Sequence, residues 1–371
     1  MCIRDSNFTV DETSPLEVEV SIDPALIGTV FENMLPEYER GSKGTFYTPR
    51  GESSFICRRA LANYLGLEDE ISSDGKTFID GLSKYLEQLA KTKSEKEVRE
   101  FREKLLALRI LDPAVGSGGF LLVMMQEIIG LIQEAEAIVG WKSDLELHKK
   151  RILPNLYGFD IEPEAIEIAR LRLWLSLIIE QKEPEPLPNL DMNLITIKDS
   201  LAIAPQMKLD LYFKYEELRT KAIEVLAKYL NEHDVGKKNA LRKEHQKLLR
   251  EIETKTGVGP SVIENFMSAL ADIIVMNPPY ISQLSIPKDK KEYYARTYSL
   301  DKESDLYSYF LVRTLKLLSE DGVTSVISSD KWLEADYGIA LQQKLKEHLI
   351  GLYGQRWKSF GADIHTVITV Y

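Results

Sequence analysis

The sequence predicts an α/β fold, a mostly parallel sheet of seven strands preceded by a helical N-terminal region and interrupted by a helical insertion. Three observations point there. From Ala107 onward, short apolar runs alternate with segments whose apolar residues recur at three-and-four spacing. The first of these runs passes straight into a glycine-rich loop and then a helical pattern. Several runs end on polar residues, as strands do when their C-terminal edges form a ligand site.

Along the chain, Met1–Ser6 shows no periodicity, whereas Leu61–Leu65, Phe78–Leu89 and Glu95–Leu106 read as charged amphipathic helices. Strands are expected at Arg109–Leu111, Leu156–Asp160, Leu194–Ile197, Ile273–Met276, Thr324–Ile327, Leu352–Arg356 and Ile364–Val370. Phe120–Val139, Pro163–Glu180 and Leu306–Leu318 carry the apolar stripes that crossover helices need. Within Leu209–Thr256 the spacing of Ile223, Val225, Leu226 and Leu230, then Leu241, Leu248, Leu249 and Ile252, suggests a helical hairpin turning at Asp234-Val235-Gly236. The expected division is a helical N-terminal region (1–105), a ligand-binding half (106–203), a helical insertion (204–265) and a second half of the sheet (266–371).

The 371 residues suffice for one large or two ordinary domains, and 44% hydrophobic content with a mean hydropathy of −0.20 describes a globular protein. Cys2 and Cys57 cannot build a disulfide framework, and the five histidines are scattered, which disfavours structural zinc and a Cys/His nucleophile. The most apolar stretch, Phe120–Ile132, is interrupted by Gln126 and Glu127 and is too short to span a bilayer, and no signal peptide precedes it. A reducing cytoplasm fits, with no membrane partner. Net charge is −11, so the surface as a whole is no nucleic-acid footprint. Two basic stretches run against that balance: Lys237–Arg250, and Lys288–Arg296 with Tyr293 and Tyr294 interleaved. Either is also an ordinary solvated face.

The glycine loop reads Asp112-Pro113-Ala114-Val115-Gly116-Ser117-Gly118-Gly119-Phe120. Gly116 and Gly118 permit backbone angles that let a ligand lie against bare main chain, and Gly119 permits close helix packing. The next strand ends in Gly158-Phe159-Asp160, followed by Ile161, and the third in Lys198-Asp199-Ser200. Asp160 is placed to accept both hydroxyls of a ribose, and Asp199 an adenine amino group, although both positions also suit a helix N-cap. Asp160 lies about twice as far from the loop as the ~20 residues of the dinucleotide fingerprint, which disfavours a nicotinamide enzyme. An extended segment, Gly44-Thr45-Phe46-Tyr47-Thr48-Pro49-Arg50, offers backbone groups and the Thr48 hydroxyl to a cofactor carboxylate, or simply starts a helix.

The most informative residues are Asn277-Pro278-Pro279-Tyr280, which end the apolar run Asp272–Met276. Asn277 offers a side-chain carbonyl, Pro278 a backbone carbonyl, and Tyr280 a ring face. The lone pair of an aromatic or amide NH2 is delocalised and poorly nucleophilic. Two carbonyls gripping its N–H bonds favour a pyramidal nitrogen and stabilise the positive charge that grows as it attacks carbon. The plainer reading is a strand ending in a proline-rich turn.

Together these segments resemble the N6-adenine DNA methyltransferases that use S-adenosylmethionine, over about residues 28 to 371, in the order cofactor motif then catalytic motif. The resemblance is to the methylase portion of large restriction-modification or phage-defence enzymes. It implies a Rossmann-like seven-stranded S-adenosylmethionine-dependent sheet, with cofactor contacts at Tyr47, Thr48, Asp112, Pro113, Ala114, Gly116, Gly118, Phe120, Asp160, Ile161, Asp199 and Ser200. It further implies that Asn277 and Pro278, followed by Pro279, hold the N6 amino group of an adenine flipped from double-stranded DNA, between Tyr280 and Phe360. Leu306–Leu318, Gly322–Ser328 and Lys331–Leu333 resemble the helix, strand and loop that follow, and Leu26–Leu35 the usual lead-in helix. Nuclease and target-recognition domains are expected elsewhere in a longer protein. Two alternatives remain open on sequence: a protein glutamine N5-methyltransferase, whose tetrapeptide is similar, and a non-catalytic DNA- or nucleotide-binding subunit.

Overall fold

The computed structural model describes residues 48–71, 78–183, 185–191, 193–197, 199–201, 271–354 and 365–371, with 24, 27, 28 and parts of 218–256. The chain runs α1 (Arg50–Tyr64), β1 (Glu70–Ile71), β2 (Phe78–Ile79), α2 (Gly81–Thr92), α3 (Glu95–Leu106), β3 (Ile110–Asp112), α4 (Gly119–Ile138), α5 (Leu145–Ile152), β4 (Leu156–Asp160) and α6 (Pro163–Ile178). It continues with β5 (Leu194–Thr196), α7 (Val235–Thr256), β6 (Ala271–Met276), α8 (Lys288–Tyr298), α9 (Leu306–Thr314), β7 (Leu318–Ser329), α10 (Gly338–Leu345), β8 (Gly351–Gly354) and β9 (Thr366–Val370).

Seven strands form one sheet in the order β5-β4-β3-β6-β7-β9-β8, with β9 running antiparallel to both of its neighbours and the other pairings parallel. Parallel strands covered on both faces need continuous apolar runs. The central strand β6 meets that need, being buried at all six residues. From β3 the chain proceeds outward to β4 and β5, then returns to the other side of β3 to lay down β6 and β7. The order therefore reverses between β3 and β6, where connections leave in opposite directions and open a crevice at the strands' C-terminal edges.

Below that crevice an ion pair ties the same two strands together. Arg109 donates to Asp272 from Nε at 3.0 Å, from Nη2 at 2.7 Å and from its backbone N–H at 3.0 Å. Burial alone would push the Asp272 carboxyl up, but the Arg109 bonds outweigh it and hold the carboxyl below the usual range. The pair's contribution is thus fully present above about pH 4 and is lost as pH falls through the depressed value. Asp272→Asn is expected to reduce unfolding free energy by about 1–2 kcal/mol at neutral pH. In denaturant titrations the difference from wild type should shrink toward acid.

The N-terminal helices differ in detail from expectation. Leu61–Leu65 is the end of the longer helix α1, which packs on α4, β6 and β7. Phe78–Ile79 pairs with β1 as a short antiparallel ladder, and the helix begins only after Asp80, whose side chain accepts the Leu82 N–H. Capping fixes that start. Asp80 also accepts from Arg58 and Arg59, so one carboxylate both starts α2 and fastens it to α1. The helix expected at Leu306–Leu318 stops at Thr314, and the strand expected from Thr324 already begins at Leu318, its early residues Glu320 and Asp321 being exposed. The last two strands are Gly351–Gly354 and Thr366–Val370, and residues 355–364, which include the end of one expected strand and the start of the other, lie outside the described residues. In the insertion, Asp234 caps α7 by accepting the Lys237 N–H at 2.8 Å. No helix among the described residues is long and apolar enough to cross a membrane.

Candidate active site

Three parts of the site are built on one side of the crevice. At the end of β3, Asp112 is buried and accepts the Ala114 N–H at 3.0 Å, which closes the turn into the glycine loop. Burial pushes its carboxyl well up, opposed by the Ala114 bond, with the nearby Asp160 charge adding to the rise. Pro113 is buried and Ala114 half-buried. The loop then places Gly116 at φ +50° and Gly118 at φ +81°, both in the left-handed region. Among the described residues, no atom beyond its two chain neighbours lies within 4 Å of where a Gly116 side chain would start. A Gly118 side chain would meet Ala169 of α6 at 2.9 Å, so this glycine, and not Gly119 as expected, lets loop and helix approach closely.

Asp160, at the end of β4, accepts the Gly116 N–H at 2.8 Å and the Glu162 N–H at 2.9 Å. Burial raises its carboxyl above the ordinary range against the pull of these bonds. Ile161 stands 59% exposed beside it, an apolar surface next to a carboxylate. The Phe120 side chain is buried in the core. An open cradle of bare backbone, a strand-end acid and an exposed apolar side chain match the hydroxyls and flat base of a nucleoside.

Asp199, past the end of β5, accepts from the Tyr294 hydroxyl at 2.6 Å and the Leu201 N–H at 2.9 Å, with Lys290 Nζ at 3.4 Å. Sequence reasoning treated Lys288–Arg296 as a charge run and missed that it is helix α8, docked on this acid. Pro287 ahead of the helix and Ala295 and Tyr298 on one face were the available signals. Ser200 is half-buried alongside.

Across the crevice, β6 delivers Asn277, half-buried, then buried Pro278 and half-buried Pro279 and Tyr280. Asn277 Nδ2 donates to the Thr48 hydroxyl at 3.1 Å. Because the amide is planar, that bond orients its Oδ1 as an acceptor on the opposite side. Thr48 is itself buried, just ahead of α1, so the N-terminal region reaches the end of β6. Sequence spacing held no hint of this contact. Thr48→Val, which keeps the shape but removes the acceptor, is expected to slow any reaction that depends on Asn277 Oδ1 about ten-fold in single-turnover assays. Tyr280 donates to the Ile327 carbonyl at 3.4 Å, and its ring lies 6.2 Å from that of Tyr307 at 41°. Burial raises its phenol, keeping it neutral. The Tyr307 and Tyr337 hydroxyls are in turn 2.8 Å apart. Tyr47 and Phe360 lie outside the described residues. Among the described residues, no group of three or more His, Cys, Asp or Glu is placed to hold a metal.

Residues 154–351, more than half of the chain, match the family model described as "Eco57I restriction-modification methylase". The chain belongs to the Eco57I restriction-modification methylase family. The matched span holds Asp160, Asp199 and Asn277–Tyr280, and the glycine loop precedes it. Among relatives of this methylase, a Methanocaldococcus jannaschii protein named "Putative type II restriction enzyme and methyltransferase RM.MjaORFECS2P" is 33% identical over 205 residues, covering 50% of this chain and 17% of the relative. The "Adenine-specific methyltransferase PglX" of Lacticaseibacillus casei is 22% identical over 267 residues, covering 66% of this chain and 21% of the relative. The methylase thus spans about a fifth of the length of these relatives. Its fold is also that of the type IIL restriction-modification enzyme MmeI, solved in complex with DNA, at a TM-score of 0.54 and 15% identity over 94% of this chain and 40% of that one. The seven-stranded mixed sheet is the S-adenosylmethionine-dependent methyltransferase fold, and S-adenosylmethionine is the cofactor that goes with the family.

Proposed function

We propose that this methylase is part of a longer restriction-modification or phage-defence enzyme and transfers a methyl group from S-adenosylmethionine to N6 of an adenine flipped out of double-stranded DNA. The observation that carries the reading is the placement of Asn277-Pro278-Pro279-Tyr280 at the end of β6, across the switch point from the glycine loop and Asp160 on β3 and β4. Donor and acceptor sites on the two sides of one crevice allow a direct transfer.

When bound, the cofactor supplies a methyl group on a positively charged sulfur, and a neutral thioether is left behind. Gly116 lets it approach the main chain, Asp160 accepts from its ribose, and Ile161 and Asp199 lie toward its adenine. Tyr47 and Thr48 receive its amino-acid end. Asn277 Oδ1 and the Pro278 carbonyl hold the two N6 protons of the target base, drawing the nitrogen lone pair out of the ring plane toward the methyl carbon. Tyr280 stacks on the base, and Phe360 is assigned its other face. With the cofactor bound, the amino nitrogen would take the methyl group as the sulfur releases it, and the surplus proton on nitrogen would pass to water. Holding the reacting atoms in line supplies much of the acceleration, so no strong base is required. Helix α8, with Lys288, Lys290, Lys291 and Arg296, is the proposed contact to DNA phosphate near the flipped base. Nuclease and sequence-recognition functions are assigned to other parts of the longer protein.

The test is transfer of tritium from labelled S-adenosylmethionine to unmethylated DNA and, separately, to a release factor. Label recovered as N6-methyladenine supports the reading, and label confined to protein glutamine replaces it with the amide-methylating alternative. Calorimetry with S-adenosylmethionine checks the non-catalytic alternative, which predicts no heat at millimolar cofactor.

A further inference from the structure

The glycine loop is held from behind by a residue with no place in the chemistry above. Arg172, on the inner face of α6, is 3% exposed. Its Nη1 donates to the Ser117 carbonyl and to the Ser117 hydroxyl, each at 2.8 Å, and its Nε donates to the Pro24 carbonyl at 2.7 Å. We propose that Arg172 is a positioning residue that sets the cofactor loop and makes its seating depend on the N-terminal segment at Pro24 and Gly28.

The loop needs such a brace. Ser117 sits between two glycines at positive φ, where the backbone has the most freedom to lose. The peptide joining Ser117 to Gly118 is fixed at both ends, its carbonyl by Arg172 and its N–H by the Val115 carbonyl at 2.8 Å. Three residues earlier on the same helix face, Ala169 touches the position where a Gly118 side chain would stand. Helix α6 therefore grips the loop twice, which leaves the open side at Gly116 in a defined place. On the far side of the guanidinium is Gly28, where an added Cβ would collide with Arg172 Nη1. Gly28 makes room for the brace. A planar fork serves Pro24 and Ser117 together, whereas an ammonium is a point donor that cannot span them.

The inference rests on the cofactor reading above. It predicts that Arg172→Lys, which keeps the charge, and Gly28→Ala, which alters no group bonded to the loop, act alike. Calorimetry of the full chain with S-adenosylhomocysteine should show Kd raised about ten-fold or more in each, with stoichiometry unchanged. In transfer assays KM for S-adenosylmethionine should rise while kcat at saturating cofactor stays within about two-fold. Affinity within about two-fold of wild type in either variant would overturn the proposal, as would fewer binding sites at unchanged Kd, the signature of a purely structural role. Absence of heat with the wild-type chain would instead overturn the cofactor reading itself.

Discussion

Asn277→Ala is expected to lower the rate of methyl transfer by about 10²–10³-fold while leaving cofactor affinity within a few-fold of wild type. In the proposed role Oδ1 holds the amino group most strongly as that group acquires positive charge, so its loss would fall mainly on the transition state. The variant should therefore show reduced kcat with little change in KM for S-adenosylmethionine, read by single-turnover transfer and by calorimetry. The fold should survive. Asn277 is half-buried at a strand end, and Thr48, its partner, keeps the anchor it has through Ser53, whose hydroxyl donates to the Thr48 carbonyl at 3.3 Å. Equal loss of cofactor binding would contradict the assigned role.

Asp160→Ala is expected to do the reverse, raising the cofactor Kd about 10²-fold with transfer at saturating cofactor far less affected. Two effects add. The ribose loses an ionised acceptor, and the glycine loop loses the carboxylate that receives the Gly116 N–H at 2.8 Å. The pH dependence follows from the raised carboxyl. In the proposed role, Asp160 above its shifted pKa is ionised and accepts from both ribose hydroxyls. Below it the neutral acid has one oxygen turned donor, and affinity falls. Because burial raises that pKa, the loss begins at higher pH than the value near 4 of an ordinary aspartate. Asp160→Asn should flatten this acidic limb in cofactor titrations.

Much of the candidate site's placement was legible because its signals are local. The glycine loop follows its strand directly, Asp160 ends the next strand, and the run Ala271–Met276 stops on Asn277-Pro278-Pro279-Tyr280 within a few residues of sequence. Each piece carries its chemistry in its own residue types. What escaped is what joins the pieces. Thr48 and Asn277 are 229 residues apart, Asp199 and Tyr294 are 95 apart, and Arg172 reaches back 148 residues to Pro24. No periodicity encodes such pairs, since the sheet order that brings them together is set by long-range packing. The same reason explains why Gly118, and not Gly119, proved the close-packing glycine, its neighbour Ala169 lying on a different helix. The short ladder of β1 and β2 was hidden by a helical pattern running across Phe78–Leu89, and only the Asp80 cap marks where the pattern breaks.

The claim underlying all of this is that one crevice holds the methyl donor beside the paired carbonyls of Asn277 and Pro278. The most direct test is a crystal structure with an S-adenosylmethionine analogue that carries an amine in place of the methylsulfonium. The account predicts its ribose on Asp160, its chain along Gly116, and its amine directed at Asn277 Oδ1 and the Pro278 carbonyl. An analogue bound with its amine turned away from β6, or bound elsewhere on the molecule, would contradict it.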